Sequence, residues 1–234
     1  RVDSSVQWNL YGEHGTGTGV AKDSIVAIID TGIFHHNSFG NRVLPGADFI
    51  SDLVSANDGD GRDMDASDPG DFLPFNSICT NGETGSSYSS WHGTHVAGII
   101  GMYGENEIPM GVSESAKILP VRSLGSCGGS LKDVLDAILW TIGLKRGDLE
   151  LNDNLPDVIN LSLGGLGGCP SVMQDVLNKV YEKDIIVVVS SGNSGLNLQK
   201  HSIFPANCKG VVSVTASDSR GRLTNYSNFG LSDM

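Results

Sequence analysis

Short apolar runs without polar alternation punctuate the chain at Ser24–Asp30, Lys117–Val121, Asp157–Leu161, Ile185–Val189 and Val211–Val214. Such runs predict strands buried on both faces, the mark of a parallel sheet. Between them lie helical periods. Leu131, Val134, Leu135, Ile138, Leu139 and Ile142 recur at i, i+3, i+4 and line one face. Ser130 stands at the N-cap position with Asp133 three residues on. A second helix is predicted where Ser171 and Gln174 form a capping box, followed by Val172, Val176, Leu177 and Val180. Strands alternating with helices predict an α/β fold of three layers, a parallel sheet flanked by helices. No internal repeat or linker interrupts it, so residues 1–234 are expected to form one domain.

Candidate chemistry clusters at the ends of the predicted strands. The first strand runs into Asp30-Thr31-Gly32, which places a carboxylate at the rim where open α/β sheets build their sites. Alone, this is an ordinary turn. An aspartic peptidase would need a second such loop, and the sequence has no other Asp-Thr-Gly or Asp-Ser-Gly. The block Trp91-His92-Gly93-Thr94-His95-Val96-Ala97-Gly98 has small residues suited to a tightly packed helix, with a histidine that can reach a carboxylate. It lacks the i, i+4 histidines and adjacent glutamate of a zinc peptidase. Ser191-Gly192-Asn193 follows the fourth strand, and Ser162-Leu163-Gly164-Gly165 the third.

In this order the blocks resemble the subtilisin family of serine peptidases over nearly the whole chain. The resemblance implies an extracellular endopeptidase with a subtilisin-like fold. It makes Asp30 the residue that orients the imidazole, His92 the general base and acid, and Asn193 a donor to the oxyanion. Ser162, Leu163 and Gly164, with Gly128 opposite, would pair with an extended peptide, and Gly192 would leave room for a sizeable side chain next to the cleaved bond. Tyr226–Gly230 looks like the stretch that shortly precedes the serine loop. The family's Gly-Thr-Ser-Met-Ala is absent, so the peptidase fold is expected to be incomplete at the C-terminus. Two outcomes are open. A companion C-terminal fragment of the same precursor supplies the nucleophile, or the chain is a noncatalytic peptide-binding relative or inactive truncated product. Retention of Asp30, His92 and Asn193 argues for the first.

Between Asp58 and Asp71 stand six aspartates. Carboxylates crowded this way repel unless a hard cation gathers them, so Ca²⁺ is expected, with Asp58, Asp60, Asp63, Asp65 and Asp68 as ligands. The competing reading is a solvated acidic loop. Cys79, Cys127, Cys169 and Cys208 lack C-x-x-C spacing, and their even number suggests two disulfides in an oxidising compartment. The family resemblance implies the pairs Cys79–Cys127 and Cys169–Cys208. A formal charge of −12 argues against nucleic acid or an anionic membrane as partner. No apolar run is long enough to span a membrane. Arg1 opens the sequence with no Met and no apolar signal, which fits a removed leader and pro-segment or a sequence that simply starts there.

Overall fold

The structure is a computed structural model that describes residues 24–79, 84–103, 110–113 and 115–230. The reading of Arg1 lies outside these. Two compact units, Arg1–Pro156 and Asp157–Met234, are taken in turn.

In the first unit, strand β1 (Ile25–Asp30), β2 (Ala47–Asp48), a short helix α1 (Leu53–Ala56), an antiparallel pair β3 (Leu73–Ile78) and β4 (Thr84–Ser87), helix α2 (His92–Gly101), β5 (Lys117–Arg122) and helix α3 (Leu131–Thr141) follow in order. β5 lies parallel to both β1 and β2, and its register with β1 sets Asp30 beside Arg122 at the carboxyl ends. Ala27, Ile28, Ile29, Ile118, Leu119 and Val121 are buried, as unbroken apolar runs require. Ile28 and Ile118 pack with Ile33, Phe39 and Ala97, which ties α2 to the sheet. The Ser130 hydroxyl accepts the Asp133 amide at 3.0 Å, so the predicted cap starts α3.

The second unit contains β6 (Val158–Leu161), β7 (Gly165–Leu166), helix α4 (Ser171–Tyr181), β8 (Ile186–Ser190), β9 (Ile203–Phe204) and β10 (Val211–Val214). β8 runs parallel to β6 on one side and β10 on the other, while β7 and β9 pair antiparallel. Two expectations change here. Burial alternates along β8 and β10: Val187 and Val189 are buried, whereas Ile186, Val212 and Val214 are exposed. One face of these strands therefore carries the buried side chains, not both. The capping box also fails. Ser171 is already helical, Pro170 takes the cap position, and no side chain caps the helix. Gln174 instead accepts the Lys209 amide at 2.8 Å and donates to the Lys209 carbonyl at 3.1 Å. The fold is α/β, with mostly parallel strands and flanking helices. Among the described residues no helix is long and apolar enough to cross a membrane.

Candidate active site

Asp30 is the last residue of β1 and is fully buried. Its Oδ1 accepts the Thr31 amide at 2.7 Å. His92 opens α2 and brings Nδ1 to 2.8 Å from Asp30 Oδ1 and 2.9 Å from Oδ2. That contact selects the tautomer. Nδ1 carries the proton toward the carboxylate, which leaves Nε2 as the accepting nitrogen. The hydrogen bond to Asp30 raises the imidazole above its ordinary value, against the pull of partial burial, and the charges of Asp30 and Asp71 add to it. The ring remains partly open, with 44% of the His92 side chain exposed. His95, one turn on, is exposed.

The start of α2 is anchored without an ordinary cap. Trp91 adopts a left-handed backbone at φ 52° and caps nothing with its side chain. Ser90 Oγ accepts the His92 amide at 3.2 Å. Ser90 is held in turn by Asp71, whose carboxylate accepts both its amide, at 2.5 Å, and its hydroxyl, at 2.6 Å. On the other side the Gly93 amide donates to Thr31 Oγ1 at 3.0 Å, and that hydroxyl donates to buried Asp68 at 2.8 Å. A side chain at Gly93 would put its Cβ 2.3 Å from the Gly32 carbonyl oxygen, so only glycine lets α2 approach β1 this closely. Thr31, Asp68, Asp71 and Ser90 were not legible as supports of His92.

In the second unit, Ser162, Leu163, Gly164, Gly192 and Asn193 line one cavity of about 270 Å³. Five predicted site residues thus meet. Asn193 is exposed on the loop that follows β8, beside Gly192 at φ 101°. Gly128 belongs to the first unit, in a tight turn that bridges back to Gly125. The neighbouring Cys127 pairs with Cys79, and Cys169 with Cys208, as the resemblance implied.

The aspartates of the acidic segment mostly cap their own loop. Asp58 accepts the Asp60 amide at 3.3 Å, Asp63 the Asp65 amide at 2.8 Å and Asp65 the Ser67 amide at 2.9 Å. Asp68 divides its oxygens between the Thr31 hydroxyl and the Gly70 amide. Asp58 also pairs with the buried guanidinium of Arg122, which reaches Asp48 and the Ala56 carbonyl as well. Burial pushes the Asp63 carboxyl up, and the charges of Asp60, Asp65 and Asp58 push it further. Among the described residues no three acidic, histidine or cysteine side chains converge as they would to hold a metal ion.

A buried carboxylate at the carboxyl end of parallel strand β1, facing the histidine that opens α2, is what the subtilisin resemblance implied for this α/β fold. The chain matches the model of the subtilase family over residues 21–233, and it belongs to that family. An extracellular protease of Xanthomonas campestris is 44% identical over 93% of this chain and 36% of its own length. An extracellular basic protease of Dichelobacter nodosus is 36% identical over 96% of this chain and 38% of its own. The chain thus spans little more than a third of these relatives. A solved protease structure from Pseudoalteromonas arctica superposes with a TM-score of 0.86 at 40% identity, covering 98% of this chain and 69% of that one.

Proposed function

We propose that this chain is part of a secreted serine endopeptidase of the subtilase family, in which His92 is the general base and Asp30 its orienting partner. The observation that carries the proposal is the contact of His92 Nδ1 with both oxygens of fully buried Asp30. A buried carboxylate with only structural work has no need of a half-open imidazole. In this reading Nε2 takes the proton of a serine hydroxyl as its oxygen attacks the peptide carbonyl carbon. Asp30 stabilises the imidazolium that forms. The Asn193 amide donates to the oxyanion of the tetrahedral intermediate. His92 then protonates the leaving amine, and the cycle repeats with water on the acyl-enzyme. The main chain at Ser162–Gly164 receives the polypeptide substrate in extended form, as an added strand.

The nucleophile is supplied by a C-terminal segment of the same precursor, because the sequence carries no Gly-Thr-Ser-Met-Ala. The two disulfides and the names of the extracellular relatives support secretion. The test is a fluorophosphonate probe on the protease purified from its natural source. The label should map to a serine outside residues 1–234 and vanish in a His92→Ala enzyme. Intact material that takes up no label returns the noncatalytic peptide-binding reading.

Calcium is a separate proposal, resting on the mutual repulsion of Asp58, Asp60, Asp63 and Asp65. As placed, these carboxylates are not convergent, so binding would have to gather them. Calcium at a hundredfold over its dissociation constant would add about 2.7 kcal/mol of stability. Thermal melts in millimolar calcium and in chelator should differ accordingly. Superimposable melts dismiss the ion.

A further inference from the structure

We propose that Asn228 is a positioning residue for Asn193, a role that rests on the reading of Asn193 as the oxyanion donor. Asn193 is exposed on the loop Ser191–Leu196, where nothing in a glycine-containing turn by itself fixes the direction of its amide. The Gly192 amide donates to Ser190 Oγ at 3.1 Å and the Gly195 amide to the Tyr226 carbonyl at 2.8 Å, but one buried residue holds the loop on both sides of Asn193. Asn228, 1% exposed, accepts the Ser194 amide at 3.0 Å and the Leu196 amide at 2.9 Å on its Oδ1. Its Nδ2 donates to the Ser191 carbonyl at 2.8 Å. Its own amide donates to the Gly192 carbonyl at 2.9 Å. The Asn228 carbonyl accepts the hydroxyls of Ser191, at 3.2 Å, and Ser227, at 3.0 Å.

Backbone groups on both sides of Asn193 are therefore tied to one residue, and the loop cannot rotate at Asn193 without breaking several of these bonds. The fit is close. A Cβ on Gly192 would lie 2.4 Å from Asn228 Nδ2. Only a side chain with a donor and a double acceptor at this reach satisfies Ser191, Ser194 and Leu196 together, and asparagine has both. The bonds of Asn228 fall on the residues immediately before and after Asn193, at the Gly192 carbonyl and the Ser194 amide, within a loop whose exposed residues are Asn193, Ser194 and Gly195.

The test is a double-mutant cycle on the full-length protease, with kcat and KM measured on a peptide substrate. Asn193→Ala should lower kcat by about 10²–10³. Asn228→Ala should lower kcat by about 10–100-fold with KM nearly unchanged, and should cost little more in the Asn193→Ala background, because its effect passes through that amide. An equal loss in both backgrounds, or a loss confined to KM, overturns the positioning role while leaving the oxyanion reading intact. An Asn193→Ala enzyme with unaltered kcat overturns both. If Asn228→Ala does not fold, Asn228→Asp decides. Its protonated acid reproduces the donor to Ser191, and its carboxylate does not. The ratio of its kcat to wild type should climb as pH falls, and a flat ratio refutes the proposal.

Discussion

Replacing Gly93 by alanine tests the packing that brings His92 to Asp30. The new Cβ would sit 2.3 Å from the Gly32 carbonyl oxygen and 3.2 Å from Asp30 Cβ. The first contact is about 1 Å short of an ordinary one, and the obstructing atom is backbone, which cannot rotate away. Relief requires the first turn of α2 to withdraw from the end of β1 by about that much. His92 is the preceding residue, so its Nδ1 would move from 2.8 and 2.9 Å to beyond hydrogen-bond range of the carboxylate. The bond from the Gly93 amide to Thr31 would be lost with it. A displacement of about 1 Å at a catalytic group costs on the order of 10² in rate, and overpacking costs about 1–3 kcal/mol in stability. Gly98→Ala is the control in the same helix. Its nearest neighbour is the flexible Met102 sulfur at 3.1 Å, and an interior helix gains about 0.5–1 kcal/mol from alanine. Measured on active-site-titrated full-length enzyme, Gly93→Ala should lose kcat about a hundredfold and melt lower, while Gly98→Ala keeps its kcat and melts no lower than wild type. A Gly93→Ala enzyme with kcat within twofold of wild type and an unshifted melt would refute the reasoning.

Other perturbations reach different parts of the account. Because Asp30 holds the His92 imidazole above its ordinary value, and the base must be neutral to act, the acidic limb of kcat/KM should lie above pH 6.5, with activity falling as pH drops through it. A limb at or below 6.5 contradicts the contact. The same shift makes the charged pair stabilising below pH 6.5, a contribution that fades as pH rises through the raised value, and Asp30→Asn should flatten this part of the stability profile. Cys169 and Cys208 close a loop with a sequence separation of 39, so a Cys169→Ala/Cys208→Ala protein should lose about 4 kcal/mol in denaturant unfolding. Ser130→Ala, which deprives the Asp133 amide of its acceptor, should cost about 1 kcal/mol by the same measurement.

What the sequence disclosed depended on whether the determining contacts are local. The helical stripe from Leu131 to Ile142 and its Ser130 cap are set by spacings of three and four, and α3 forms accordingly. Asp30, His92 and Asn193 stood out because short motifs surround them. The false capping box shows the limit. Ser171 and Gln174 have the right spacing, yet Gln174 is engaged by Lys209, a partner 35 residues away that no local pattern announces. The partners of the aspartates are equally distant in sequence. Asp68 is bound to Thr31 across 37 residues and Asp58 to Arg122 across 64. The clamp on the Asn193 loop was equally hidden, since Asn228 lies 37 residues from the Ser191 carbonyl it binds. Alternating burial in β8 and β10 escaped for another reason. Valine and isoleucine occupy both faces, so composition does not say which face is covered.

The claim beneath all of this is that the Asp30 carboxylate makes His92 a working base. The most direct measurement is kcat of the full-length protease carrying Asp30→Asn, with folding verified by its melt. An amide at that position holds the ring but favours the wrong tautomer, and the predicted loss is about 10⁴. A loss of less than tenfold would mean that His92 does its chemistry without Asp30, or does none.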